Sequence, residues 1–219
     1  MKITKYVHST FELEMGDKRI LIDPGKYNFG GGRFDLDYLK KEDLNDADII
    51  LLSHSHGDHY DADVITNLYE KSNPVIISNE EVGKDLQERN IEHIVLKPGE
   101  KTEVDNISVG ATYCDHKVPC VGFLLNDGNQ TAYFVADSLY KESNQKADVL
   151  FVPIGNRDVV MSPTDAAKFT SEIEPNLVIP MHYESPKDQT MPVDFEIAMQ
   201  KIRSNTEIKS MEYKETINF

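Results

Sequence analysis

The sequence predicts a layered protein of mixed strands and helices, α/β or α+β in class. Short runs of β-branched, aromatic and aliphatic residues recur along nearly the whole chain, bounded by Gly, Pro, Asn and Asp. Between them lie a few segments with helical spacing and helix-start signals. No linker, low-complexity stretch or internal repeat divides the 219 residues. They are therefore expected to form one domain, 1–219, large enough to bury a core unaided.

The elements follow in order. Residues 3–8 (ITKYVH), 11–15 (FELEM) and 19–22 (RILI) read as strands, and Gly16-Asp17 between the last two is a hairpin signal. Asp23-Pro24-Gly25 ends the third strand. The segment Tyr27 to Phe34, with Gly30 to Gly32, is too glycine-rich for an element interior and is a candidate substrate lip or a surface connector. Residues 48–53 (DIILLS) form a short apolar run expected of a strand buried on both faces. A helix is expected at 61–71, with Val64, Ile65, Leu68 and Tyr69 on one side and Pro74 beyond its end. After a strand at 75–78, Ser78 and Glu81 suit a capping box for a helix at 80–89. Strands are expected at 93–96, 107–113, 121–125, 131–136, 149–152 and 177–179. Ser162-Pro163-Thr164-Asp165 marks a helix start, with Ser as N-cap and Pro in the first turn. A helix over 193–203 and a strand over 207–217 complete the reading.

Composition narrows the function. Lys and Arg total 23 against 38 Asp and Glu, a formal charge of −15. Such a chain is a poor sequence-independent binder of nucleic acid and of anionic membrane surfaces. An anionic substrate stays open, because bound cations invert the local field. The two cysteines, Cys114 and Cys120, exclude a disulfide scaffold; they read as small buried residues beside His116. No apolar run approaches the length of a spanning helix, and the first residues have no signal-peptide pattern. A cytoplasmic, unprocessed protein is expected.

The informative segment is Ser53-His54-Ser55-His56-Gly57-Asp58-His59. Three imidazoles and a carboxylate within six residues suit Zn²⁺, Mn²⁺ or Fe. His54, His56 and Asp58 alternate, so an extended chain would put them on one face. His59 breaks that parity and requires a turn, with Gly57 the place where a positive φ is cheap. A turn there lets His54 and His56 face one metal while Asp58 and His59 face another. Further along, His116 follows ISVGATY, Asp137 follows TAYFVA and His182 follows LVIPM. With His54 after IILLS, four candidate ligands sit just past the ends of four apolar runs, where loops at one edge of a sheet converge.

This set resembles the metallo-β-lactamase superfamily, whose signature is HxHxDH followed by a separate His, an Asp and a last His. The resemblance runs from about Ile3 to Tyr183. YVHSTFELE with ILIDPG, VLFVPIGNRDVVMSPTDAA and VIPMHY resemble the branch that contains L-ascorbate-6-phosphate lactonase and many metal-dependent hydrolases. The resemblance implies a four-layer αββα sandwich with a dinuclear site at one edge. It implies that His54, His56 and His116 bind the first metal, that Asp58, His59 and His182 bind the second, and that Asp137 bridges both. Asp23 matches a family aspartate that supports the ligand loop, against a plain turn role before Pro24. One departure stands out: the family usually has Gly before the bridging Asp, and here it is Ala136, acceptable if its φ is negative.

The expected activity is a metal-dependent hydrolase. Two divalent ions, Zn²⁺ first with Mn²⁺ or Fe as alternatives, would share a hydroxide that attacks a lactone, ester or phosphoester in a small substrate. Asp58 is the candidate catalytic residue, orienting the nucleophile or accepting its proton. Arg33, Arg157 and Lys117 are candidate contacts for an anionic group, and His8 either lies near the metals or merely ends a strand. A nuclease, an iron redox enzyme and a non-catalytic binding protein on the same fold are the alternatives, and the branch is compatible with a homo-oligomer.

Overall fold

The computed structural model describes residues 1–25, 44, 46–155, 158–185, 189–202 and 204–219. The glycine segment Tyr27 to Phe34, with Arg33, and Arg157 lie outside them. Two seven-stranded sheets form the centre. The first has strands β1 (Lys2–Lys5), β2 (Phe11–Met15), β3 (Lys18–Ile22), β4 (Ile49–Leu52), β5 (Val75–Ser78), β6 (Ile94–Val95) and β14 (Thr216–Asn218), in the order β14-β1-β2-β3-β4-β5-β6. The second has β7 (Lys101–Val104), β8 (Ile107–Tyr113), β9 (Val121–Asn126), β10 (Thr131–Phe134), β11 (Val149–Pro153), β12 (Leu177–Met181) and β13 (Glu207–Ile208), in the order β13-β12-β11-β10-β9-β8-β7.

The central strands β4, β11 and β12 are buried on both faces, which explains their near-continuous apolar runs. Along β4, Ile49 and Leu51 join the core between the sheets, while Ile50 and Leu52 face α1 (Ala62–Ser72) and α2 (Glu80–Glu88). Along β11, Val149 and Phe151 enter the same central core, while Leu150 and Val152 meet α3 (Pro163–Ile173) and α4 (Pro192–Ile202). The alternation of two along a strand thus divides its residues between two cores. The outcome is the αββα sandwich.

The helix starts follow their local chemistry. Asp61 caps α1 by accepting from the Asp63 and Val64 amides, and Ser162 caps α3 by accepting from Asp165. The expected Ser78 capping box does not form. Asn79 is the N-cap of α2, accepting from the Val82 amide at 2.9 Å, and the Ser78 hydroxyl bonds the Asn79 carbonyl instead. The expected strand over 207–217 is two short strands in different sheets, β13 beside β12 and β14 beside β1. Strand β7 was not expected: KTEV is a polar, half-exposed edge held only against β8 among the described strands.

Direction positions the site. β1 and β3 are each antiparallel to β2, and β4 is parallel to β3. β8 and β10 are each antiparallel to β9, and β11 and β12 continue parallel to β10. His8, Asp23 and His54 therefore leave the C-terminal ends of like-directed strands in one sheet, and His116, Asp137 and His182 do so in the other.

Candidate metal centre

The HSHGDH loop leaves β4 and turns on itself at once. The amides of His59 and Tyr60 both donate to the His56 carbonyl at 2.9 Å. That turn separates His54 and His56 from Asp58 and His59, as the broken parity requires. Gly57 does not supply a positive φ, contrary to expectation, and a Cβ there would meet no atom within 4 Å. The left-handed residues are elsewhere: His8 (φ 59°), Asp23 (φ 47°), Ala136 (φ 60°) and His182 (φ 66°). The condition attached to Ala136 is thus not met. The chain must turn between β10 and Asp137, and it does so with a methyl in a conformation that costs about 1–2 kcal/mol for an L-residue. Gly25 has a separate reason to be glycine: a Cβ there would lie 2.1 Å from the Asp58 carbonyl carbon and 2.4 Å from the His59 nitrogen.

Every sequence-predicted ligand enters one cluster, with His54, His59, Asp137 and His182 buried and His56, Asp58 and His116 partly so. His54, His56, His116 and Asp137 form one group and Asp58, His59 and His182 belong to another, with candidate donor atoms in each group within 4.8 Å of one another. In the first group, His56 Nδ1 lies 3.2 Å from both His54 Nε2 and His116 Nε2. The protons on these rings are fixed from behind. The Ser53 hydroxyl donates to Asp23 at 2.5 Å, so it accepts from His54 Nδ1–H at 2.9 Å. His116 Nδ1 faces the Val159 carbonyl, which only accepts. Both Nε2 atoms therefore present lone pairs to the third imidazole. His56 Nδ1–H can answer one of them, whereas a cation among the three nitrogens would take a lone pair from each, and this donor set fits one.

Asp137 lies between the groups. Its Oδ1 is 3.2 Å from His59 Nε2, and its Oδ2 is 3.1 Å from His182 Nε2, 3.7 Å from His54 Nε2 and 4.0 Å from His116 Nε2. Asp58 Oδ2 is 3.8 Å from both His59 Nε2 and His182 Nε2. His59 Nε2 and Asp137 Oδ1 are buried without a hydrogen-bond partner among the described residues. Such atoms are costly unless something satisfies them, and a divalent cation would. Behind the cluster, fully buried Asp23 accepts from the Ser53 amide (2.8 Å), the Ser53 hydroxyl and His59 Nδ1 (2.8 Å). It orients both His54 and His59, as outer partners of ligating histidines do.

The charges respond to this packing. Burial, then the His59 imidazole, lowers the His54 pKa to about 2. Burial opposes ionisation of Asp137, yet His182 and His59 hold its carboxyl well below the usual range. Burial also opposes protonation of His59, but Asp137 and Asp58 raise it well above an ordinary imidazole. His182 is raised as well, burial being outweighed by Asp137.

Other candidates fall around this centre. Lys117 is exposed and lines, with Lys97, Tyr113, Cys120 and His116 itself, a cavity of about 310 Å³. Cys114 and Cys120 are buried free thiols. His8 is fully buried and its ring centroid lies 4.1 Å from that of His182. Sequence reasoning missed Ser53, Asn79, Lys5 and Glu184. Asn79 Nδ2 donates to the Ser53 and Pro119 carbonyls, at 2.9 and 2.6 Å, tying both ligand loops to the start of α2. Lys5 and Glu184 form a buried pair 179 residues apart in sequence, a distance no local pattern bridges.

Residues 2–182 match the beta-lactamase superfamily domain. A metal-dependent hydrolase of the UPF0173 family from Bacillus cereus is 32% identical over 206 residues, covering 84% of this chain and 86% of the relative. The metallo hydrolase Igni18 from Ignicoccus hospitalis superposes with a TM-score of 0.84 at 23% identity, covering 100% of this chain and 97% of that one. The diiron β-hydroxylase CmlA from Streptomyces venezuelae shares the fold at a TM-score of 0.77 and 14% identity, and this chain covers 54% of its length. With the αββα layers and the His/Asp cluster at their edge, these matches establish that the chain belongs to the metallo-β-lactamase superfamily, in the UPF0173 family of metal-dependent hydrolases.

Proposed function

We propose that the chain is a dinuclear hydrolase of small substrates. The observation that carries the reading is the position of Asp137, whose two carboxylate oxygens lie among imidazole nitrogens of both groups. His54, His56 and His116 would hold one divalent ion, Asp58, His59 and His182 the other, and Asp137 would be shared. When bound, such a pair lowers the pKa of water and polarises the bond under attack. The residues of this chain do the rest. Ser53 and Asp23 hold the His54 and His59 rings in the tautomers that face the centre. Asp58 is kept ionised: burial opposes its charge, but His59 and His8 hold its pKa well below the ordinary value. It is the only one of the bridging and second-group residues with 21% of its side chain exposed, which suits it to orient a nucleophile or accept its proton.

For substrates we favour a lactone, ester or phosphoester, as the likeness to the L-ascorbate-6-phosphate lactonase branch suggests, in a cytoplasmic setting where both thiols stay reduced. Zn²⁺ is the first choice of metal, with Mn²⁺ next. Iron is the alternative, favoured by the shared fold of the diiron hydroxylase and by a donor set that accepts it. The charge of −15 counts against a nuclease.

The test is metal content by plasma mass spectrometry, on protein purified without chelator or added metal, followed by a screen of lactones, esters and phosphoesters. Two equivalents of zinc or manganese and metal-dependent turnover are expected. His56→Ala and Asp137→Ala should each abolish turnover, and full activity in either overturns the reading. Iron with an oxygen-dependent reaction would transfer it to the redox alternative.

A further inference from the structure

His8 stands at the tip of the turn between β1 and β2. The turn is closed by Tyr6 N–H to the Thr10 carbonyl (3.0 Å) and Thr10 N–H to the Val7 carbonyl (2.9 Å). At its tip the chain places a histidine, not glycine, in the left-handed region with φ 59°, and buries it completely. Strained backbone of this kind persists only where its surroundings enforce it. Here the enforcement is visible. The His8 amide donates to the Glu184 carboxylate, whose other oxygen is gripped by the ammonium of Lys5. Lys5 is fully buried and also bonds the Tyr183 hydroxyl at 3.0 Å and the Met211 carbonyl at 3.2 Å. A buried Lys–Glu pair contributes little net stability, because desolvation offsets its attraction. Its geometric effect is definite: it fixes His8 to the segment that also carries His182.

That fixing aims the His8 ring at the second group. Its Nε2 lies 3.4 Å from Asp58 Oδ2, and its donor atom is within 4.8 Å of those of Asp58, His59 and His182. From Asp58 Oδ2 the three imidazole nitrogens are 3.4, 3.8 and 3.8 Å away. These separations exceed a hydrogen bond, which ends near ~3.2 Å. They approach the spacing of donors that each sit ~2.1 Å from one four- or five-coordinate ion, about 3.0–3.6 Å apart.

We propose that His8 is a ligand of the second cation, and that Lys5 and Glu184 are positioning residues that hold it there. The proposal rests on the two-cation reading above. It gives the second ion three imidazoles, His8, His59 and His182, matching the three of the first, with Asp58 and the shared Asp137 completing it.

The test reads the bond itself, on the full chain loaded with a spin-half cadmium isotope after nitrogen labelling of histidine. A one-bond coupling between cadmium and His8 Nε2 is expected beside those of His59 and His182. Couplings to His59 and His182 without one to His8 overturn the proposal and leave the two-cation reading standing. No cadmium uptake at all overturns both. His8→Asn, chosen because asparagine tolerates left-handed backbone, should raise the dissociation constant of one of the two ions at least about tenfold in chelator competition, with the other unchanged. Glu184→Gln should weaken the same ion while keeping the His8 coupling; an unchanged affinity there removes the positioning role.

Discussion

Asp23 never faces the centre, yet two ligands depend on it. Its carboxylate takes the His59 ring directly and the His54 ring through Ser53. Asp23→Asn keeps the shape and loses the charge, so metal affinity should fall about 10–100-fold, measured by chelator competition while circular dichroism stays native. The raised pKa of His59 and His182 carries a second prediction. Their folded values lie above the ordinary 6.5, so in the cation-free chain both rings hold protons to a higher pH than a free imidazole does. Cations bind only the deprotonated rings. Uptake should therefore release protons at neutral pH, and affinity should rise as pH rises through the range where those rings titrate. Calorimetry in buffers of different ionisation enthalpy measures the release, and a proton count near zero at pH 7 would contradict the raised pKa of these rings. The convergence of these side chains was legible at this scale because histidine and aspartate announce their chemistry by type and spacing. The left-handed φ of Ala136 and His182 was not, because neither residue type signals it.

Two junctions between elements hold the ligand loops in place. Gly25, just past β3, touches the backbone of Asp58 and His59 so closely that a Cβ would overlap it. Gly25→Ala should cost about 1–3 kcal/mol by overpacking and displace the HSHGDH turn, read as a lower unfolding midpoint together with lost metal binding. Asn79 caps α2 with its oxygen and donates its nitrogen to the Ser53 and Pro119 carbonyls. Asn79→Asp keeps the acceptor and removes the donors, so it separates the two roles. Each unsatisfied buried carbonyl costs about 1–3 kcal/mol, and destabilisation by Asn79→Asp comparable to that of Asn79→Ala would show that the loop ties, not the cap, dominate. The helices and most strands were legible from local signals, apolar spacing for α1 and a nearby cap for α2, and α1, α2 and α4 fall within a residue or so of the expected spans. The polar edge strand β7 and the split of 207–217 were not, since pairing with a neighbour rather than intrinsic pattern makes them strands. The capping residue of α2 was misread by one position for a related reason. Ser78 and Asn79 are both good caps, and only the tie to Ser53 and Pro119 distinguishes them.

Across the whole molecule, the described ligand set draws on both sheets. His54, Asp58 and His59 follow β4 of one, and His116, Asp137 and His182 follow strands of the other. Binding at a site made by both stabilises the folded state by about 2.7 kcal/mol per ion when free metal is a hundredfold above its dissociation constant. Chelation should lower the melting temperature, and refilling with zinc or manganese should restore it; a melting temperature indifferent to chelator would mean the sheets are not joined there. The layered class was legible from alternating apolar runs, but the two-core division of β4 and β11 became visible only with the packing. Cations shared between two sheets would also act as a rivet at one end of the seam. At the opposite end of that seam the described residues join the layers by the Lys18–Asp105 ion pair (2.7 Å) and by Gln130, which bonds the Met1 amino group and the Phe219 carbonyl. A cell short of metal would then hold a protein whose layers part first at the empty edge, exposing the loops after β4 and β12 to proteases. The lifetime of the protein in the cell, and not only its activity, would follow the metal supply.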